Sequence, residues 1–231
     1  MKYGKVVKAE FIERPNRFIA KVAVNGKTET VHVKNTGRCK ELLVAGAAVY
    51  LEESERETRK TKYDLIAVEK REPDGKIKLI NMDSGAPNKA VGEWLADYPI
   101  FGKTKSIKPE VFASDSRFDF AVSGEDGSGY VEVKGVTLEN DGVVMFPDAP
   151  TERGLKHLSE LTALAKMGVP CAVVFVVQME DVRYFTPNRD THPAFAQALK
   201  MAADAGVQVI AVSCRVTPDS MKICGRVKVR L

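Results

Sequence analysis

Ser116–Gly135, SRFDFAVSGEDGSGYVEVKG, is the stretch that decides how the second part of the chain folds. Two runs of alternating apolar and polar residues flank a turn rich in glycine and serine, so the stretch reads as a β-hairpin. Along a strand, side chains alternate between the two faces of the sheet. Phe118 and Phe120 should therefore share one face, with Arg117, Asp119 and Ala121 on the other. In the second run Val131 and Val133 share a face, opposite Tyr130, Glu132 and Lys134. With a loop at residues 123–128, Val122 lies opposite Gly129, and that register sets Asp119 against Glu132. Like charges directly opposite destabilise a hairpin by up to ~1 kcal/mol, so something should offset the repulsion. Lys134, two residues on and on the same face, is one candidate. A divalent cation is another, because Mg²⁺ favours one or two carboxylates completed by water and substrate phosphate. Two carboxylates, an ammonium and room for a phosphate form a set that can hydrolyse a phosphodiester. The competing reading is a solvated face with a Glu132–Lys134 or cross-strand ion pair.

The residues after the hairpin are compatible with a mixed sheet. TERGLKHLSELTALAKMG (Thr151–Gly168) has Leu155, Leu158, Leu161, Thr162, Leu164 and Ala165 at helical spacing. Thr151 is suited to the N-cap, and Gly168 to the position after the last turn. VPCAVVFVVQM is a continuous apolar run, as expected of a strand covered on both faces. HPAFAQALKMAADAG reads as a second helix, with Pro193 at its start and Gly206 after its end. VQVIAVSCRV reads as a further buried strand. Strand, helix, strand, helix, strand implies parallel pairing in part of the sheet. Before the hairpin, Ser84 is a candidate cap for a helix over Pro87–Tyr98.

Residues 1–81 are patterned differently. GKVVKAEFIER, RFIAKVAVNG, TETVHVKN, AAVYLEES, KYDLIAVEKR and KIKLINM are short, rich in β-branched residues and roughly alternating. Asn25-Gly26 is a strong hairpin signal, and GRCKELLVAG (Gly37–Gly46) is the only helix-like interruption. This pattern suits a small Greek-key barrel of the oligonucleotide-binding (OB) type. The expected fold is α/β (α+β), with a barrel over 1–83 and a mixed sheet with flanking helices over 84–231.

Charge is distributed unevenly. Residues 1–83 hold 18 Lys and Arg against 13 Asp and Glu, while the remainder holds 17 against 18. A basic first third suits a polyanionic partner. Arg17, Lys34, Asn35, Arg38, Lys40, Arg59, Lys60 and Lys62 fall at strand ends and loops, with SERETRKTKYD (Ser54–Asp64) as the most basic loop. Phe18, Tyr50 and Tyr63 are candidates to stack on bases, with core packing the preferred reading for Phe18. In the later helix, Arg153 and Lys156 are candidates for phosphate contact, and His157 a weaker one. The four cysteines form no C-x-x-C pair, which suggests neither a zinc site nor a disulfide framework, and Cys171 and Cys214 lie in apolar runs. No apolar run approaches the ~20 residues of a membrane span. The opening MKYGKVVKAEF carries charge where a secretory signal needs an apolar block, so the expected compartment is the cytoplasm.

Asp119, followed on the next strand by Glu132-Val133-Lys134 and then by helix and strand, resembles the PD-(D/E)XK nuclease-like superfamily. NTGRCKELL (Asn35–Leu43), RFDF, YVEVKGVTL (Tyr130–Leu138), FPDAPTERGLKHLSEL (Phe146–Leu161), VVFVVQ and FTPNRDTHPAFAQAL together resemble the sugar fermentation stimulation protein A family, over nearly the whole chain. The resemblance implies an N-terminal OB-type barrel and a restriction-endonuclease-like C-terminal domain. It also implies DNA binding and a role in regulating sugar-utilisation genes. Carried over by position, Asp119, Glu132 and Lys134 match the catalytic triplet, and Glu93 matches an acid that many superfamily members add to the metal shell. Phe118-Asp119 departs from the Pro-Asp of the superfamily pattern.

The leading expectation is a DNA-binding, Mg²⁺- or Mn²⁺-dependent nuclease. Asp119, Glu132 and Glu93 would hold the metal and Lys134 would act on the water. A non-cleaving DNA-binding regulator, and a metal-dependent enzyme acting on nucleotides or small phosphorylated molecules, are the rival expectations. No membrane partner is expected, and self-association into a homo-oligomer is left open.

Overall fold

Alternation in the first third of the chain produces six strands: β1 (Val6–Asn16), β2 (Ile19–Val24), β3 (Lys27–Val33), β4 (Ala48–Glu53), β5 (Tyr63–Arg71) and β6 (Ile77–Asn81). The computed structural model describes residues 1–231 except 36, 56–57, 114–115 and 126. The strands pair in the order β3-β2-β1-β4-β5-β6, and a β3–β5 pairing closes the first five into an OB-like barrel. Asn25 and Gly26, at φ 49° and 76°, make the β2–β3 turn and set Val24 opposite Lys27. Ala20, Val22, Val31, Val49, Leu51 and Leu65 point inward and are fully buried.

Gly37–Gly46 is not helical. It forms a series of turns, with Cys39 at φ 44° and its carbonyl accepting from the Leu42 and Leu43 amides. Eight residues between two glycines are too few to offset the cost of helix nucleation, and burying Leu42 and Leu43 beneath the barrel satisfies the apolar pair instead.

The second part is built from α1 (Ala86–Asp97), β7 (Ser106–Ala113), β8 (Ser116–Gly124), β9 (Gly127–Val136), β10 (Leu138–Asn140), β11 (Val143–Phe146), α2 (Glu152–Lys166), β12 (Cys171–Val177), β13 (Tyr184–Pro187), α3 (Pro193–Asp204), β14 (Gln208–Thr217) and β15 (Ser220–Val227). Its main sheet runs β15-β14-β12-β9-β8-β7. β9, β12 and β14 are parallel, while β7 and β8 on one side and β15 on the other are antiparallel. β10, β11 and β13 form a small separate sheet. Every residue of β12 is buried, as its unbroken apolar run requires. One apolar cluster runs from the barrel interior into the face covered by α2 and α3, and a second fills the face under α1. Cys171 and Cys214 are buried within these clusters.

The capping of α2 follows its sequence: Thr151 Oγ1 accepts the Gly154 amide at 3.0 Å, and Gly168 takes φ 82° after the last turn. The start of α1 differs from expectation. Ser84 donates to the Lys34 carbonyl, Gly85 occupies the N-cap, and the Asp83 carboxylate accepts the Gly85 amide at 2.8 Å. The extreme N-terminal residues pair with the second part rather than the barrel: Lys2 bridges Ser220, and the Tyr3 amide donates to the Asp219 carbonyl.

Two polar networks fix the first six strands against the second part of the chain. Gln178 Nε2 donates to the Asn81 carbonyl, Asn81 Oδ1 and the Asp83 carbonyl, while Lys34 pairs with the buried Asp83 carboxylate at 2.7 Å. At a second seam Glu139 of β10 is buried against Lys70 of β5 and Lys78 of β6.

Candidate functional site

β8 and β9 pair with Val122 opposite Gly129, the register anticipated from the loop length. The ladder runs through Phe120↔Val131, one step short of Asp119 and Glu132. There the strands part and the Asp119 carboxylate takes over: Oδ2 accepts the Val133 amide at 2.7 Å. Its other oxygen accepts from Asn88 Nδ2 of α1, also at 2.7 Å. This local departure breaks the expected alternation. Phe118 packs toward Tyr130 and His157 of α2, whereas Phe120 lies under α1 against Gly92. The two rings that were to share one face thus belong to different cores.

Glu132 is almost wholly buried, with Lys134 Nζ 2.5 Å from its Oε1. His157 Nδ1 meets the same oxygen from α2. Burial opposes the charge on Glu132, but the His157 hydrogen bond and the Lys134 ammonium outweigh it and hold the carboxyl below its usual range. Asp119 goes the other way. Burial and the neighbouring Glu132 charge raise its carboxyl above the ordinary value, against the pull of the Val133 amide, Asn88 and Lys134. The two carboxyls are thus pushed in opposite directions, Asp119 up by burial and the Glu132 charge, Glu132 down by His157 and Lys134.

The oxygen not taken by His157 and Lys134 is informative. Glu132 Oε2 is buried and takes no hydrogen bond. A buried carboxylate oxygen with no donor costs free energy, and hard oxygen donors of this kind fit Mg²⁺ or Mn²⁺. Asp119 and Glu132 are the residues that would hold such an ion. Among the described residues no group of three or more His, Cys, Asp or Glu gathers, so water and substrate would have to complete the shell.

Glu93 does not join this pair. Its carboxylate accepts from the Met1 amine at 2.7 Å, and its side chain is 60% exposed. It lies five residues beyond Asn88, which on a helix turns it well away from the face that meets Asp119. Sequence reading missed Asn88 and undervalued His157. The signal for His157 was a polar residue on the buried face of an amphipathic helix, one turn before Leu161.

Gly135 follows Lys134 where the backbone passes close to its neighbours: a Cβ there would stand 2.5 Å from Gln178 Oε1 and 3.0 Å from Pro87 Cγ. A cleft of about 180 Å³ opens beside it, lined by Asn35 and Gly37 of the barrel together with Ser84, Gly135, Asp148 and Gln178. The barrel loop at its rim is fastened by Arg14, which donates to the carbonyls of Arg17, Asn35, Gly37 and Arg38.

The basic candidates divide. Arg17, Arg38, Lys60 and Arg153 are exposed. Lys34 is held by Asp83, Arg59 by Asp64 at 2.6 and 2.8 Å, and Lys62 by Glu53 at 3.0 Å. Asn35 serves the loop itself, its side chain accepting the Gly37 amide. Lys156 stands 3.7 Å from Glu160 on the outer side of α2. In the loop Ser54–Asp64, Arg56 and Glu57 lie outside the described residues. Phe18 is not a core residue: it is 45% exposed, with the Arg17 guanidinium 4.8 Å from the ring centroid. Tyr63 is buried, and Tyr50 donates to Glu69 at 2.7 Å. Among the described residues no helix is long and apolar enough to cross a membrane.

Comparison with known proteins supplies the lineage. The model of the sugar fermentation stimulation protein RE domain matches residues 85–220, and that of the SfsA N-terminal OB domain matches residues 12–78. The sugar fermentation stimulation protein homolog of Desulfitobacterium hafniense (strain Y51) is 51% identical over 231 residues, covering 100% of this chain and 99% of its own. That of Clostridium beijerinckii is 49% identical over 223 residues, covering 96% of each. The solved structure of Pyrococcus furiosus SfsA in complex with Ca²⁺ superposes with a TM-score of 0.85 at 26% identity, covering 100% of this chain and 98% of that one. With one family model spanning more than half its length and relatives near half identical end to end, the chain belongs to the sugar fermentation stimulation protein family.

Proposed function

We propose that this protein binds DNA and hydrolyses phosphodiesters at Asp119, Glu132 and Lys134 with the help of Mg²⁺ or Mn²⁺. The observation that carries the reading is the buried, undonated Glu132 Oε2 near a second, partly buried carboxylate, Asp119. The Ca²⁺ held by the Pyrococcus furiosus relative supports a divalent cation in this family. Such an ion, when bound, lowers the pKa of a water and polarises a phosphoryl oxygen. Asn88 and the Val133 amide fix the direction of the Asp119 carboxylate. Lys134 Nζ sits where it can donate to a phosphate oxygen or orient the attacking water. The exposed Arg17, Arg38, Lys60 and Arg153 supply backbone contacts that do not depend on sequence. A contribution to the control of sugar-utilisation genes fits DNA binding by a member of this family.

A binding-only protein is the second reading, favoured by Lys134 being engaged with Glu132 and by the lack of a third acid among the described residues. Incubating single- and double-stranded DNA with the parent protein and Glu132→Ala, in Mg²⁺, Mn²⁺ or EDTA, separates the two. Cleavage by the parent alone, with binding in EDTA equal for both, is the expected result. Equal cleavage by both proteins, or none by either, removes the hydrolytic assignment. DNA retention on filters by either protein speaks against a substrate limited to nucleotides or small phosphorylated molecules.

A further inference from the structure

His157 comes from a different element than the triplet, yet its side chain is as deeply buried as that of Glu132, with 6% and 3% exposed. A carboxylate can only accept, so the proton in the Nδ1 contact belongs to the imidazole. The Phe118 ring meets the imidazole edge to face, with centroids 5.9 Å apart, and limits its rotation. The Thr151 cap anchors the first turn of α2 and so fixes the backbone from which His157 projects.

His157 and Lys134 share one oxygen, Glu132 Oε1, while Oε2 has no donor. If Lys134 were the only partner, its departure toward a phosphate would strip a buried carboxylate of its last hydrogen bond. With His157 in place, Oε1 stays paired and the carboxylate keeps its orientation.

We propose that His157 is the positioning residue of this site: it pins Glu132 Oε1, which leaves Oε2 as the oxygen available to a divalent cation and lets Lys134 leave Glu132 for the substrate. The proposal rests on the metal-dependent reading of Asp119 and Glu132 given above. It assigns the histidine no contact with metal or substrate.

Titration calorimetry with Mn²⁺ tests it without reference to turnover. Loss of a hydrogen bond behind a metal ligand weakens metal binding by about 10–100-fold, and His157→Leu should do so here. His157→Asn, whose amide places an N–H close to the position of Nδ1, should recover most of the affinity. A purely structural role would lower the melting temperature in EDTA and leave the Mn²⁺ affinity of the folded protein unchanged. Should His157→Leu fail to fold, His157→Asn and His157→Gln carry the test, since both fill the space but only asparagine sets the donor near Nδ1. Equal Mn²⁺ affinity in parent and His157→Leu, or in the Asn and Gln variants, overturns the proposal. No Mn²⁺ uptake by the parent overturns the reading of the site and this proposal with it.

Discussion

The Asp119 carboxylate accepts the Val133 amide at 2.7 Å, in the place where the β8–β9 ladder would otherwise continue. The candidate ligand is therefore also a piece of the sheet. Removing it in Asp119→Ala leaves a buried backbone N–H and Asn88 without their acceptor, a loss of about 1–3 kcal/mol. Asp119→Asn keeps an acceptor and removes a charge that burial and Glu132 already disfavour, so its cost should stay within about 1 kcal/mol. Urea unfolding in EDTA gives both numbers. An alanine variant as stable as the parent would mean that relief of charge repulsion, rather than the hydrogen bond, dominates at this position.

How far the sequence could be read is visible in that same pair. The loop length gave the register at Val122 and Gly129, since pairing is counted outward from the turn. It could not give the point where the ladder stops, because Asn88 of α1, 31 residues away, helps hold the Asp119 carboxylate there. Period-two alternation then misplaced Phe118, since a strand that parts from its neighbour no longer obeys that neighbour's pleat. The five barrel strands, β6 beside them and the run of β12 were legible because burial on one or both faces leaves a strong pattern. β7 and β15 were not: both lie at edges of the sheet, where exposed residues such as Lys108, Pro109 and Arg226 blur the alternation. Glu93 sat on the right helix but the wrong face, an outcome fixed by which turn of α1 meets β8.

Glu139 gives a pH prediction at the seam between the first six strands and the small sheet β10-β11-β13. Burial alone would raise its carboxyl, but Lys70, the Gly142 amide and Lys78 together hold it below the ordinary range. A carboxyl depressed by folding contributes stability above its unfolded value of about 4.3 and loses it as pH falls through the lower folded value. Glu139→Gln should thus cost roughly 3 kcal/mol at neutral pH, with the difference from the parent shrinking as the solution is taken below pH ~4. Urea unfolding at neutral pH and near pH 3 measures it. A difference that holds constant between the two would assign the effect to packing rather than charge.

The exposed Phe18 ring and the Arg17 guanidinium on it make a surface suited to an unpaired base. Phe18→Ala should weaken single-stranded DNA binding by about 1–3 kcal/mol, while folding stability stays within about 0.5 kcal/mol because the ring is not in the core. Arg17→Ala should flatten the dependence of log affinity on log salt by about one unit. Fluorescence anisotropy across a salt series reads both. Unchanged affinity in the two variants would move the DNA path away from the β1–β2 turn.

Gly135 and Gln178 should prove coupled. A methyl group on Gly135 would fall 2.5 Å from Gln178 Oε1 and 3.0 Å from Pro87 Cγ. The glutamine cannot swing aside freely, because its amide nitrogen is tied to the Asn81 carbonyl, Asn81 Oδ1 and the Asp83 carbonyl at 3.0–3.1 Å. Gly135→Ala should therefore cost about 1–3 kcal/mol, as overpacking does elsewhere. Gln178→Ala alone is costly for a different reason, the loss of donors to three buried oxygens. In the double variant the methyl group enters space the glutamine has left, so the combined loss should be smaller than the two single losses added, by at least about 0.5 kcal/mol. Strict additivity in urea unfolding would show that the β9 backbone shifts to accept the methyl group. In that case the close approach beside Lys134 is not what requires glycine there.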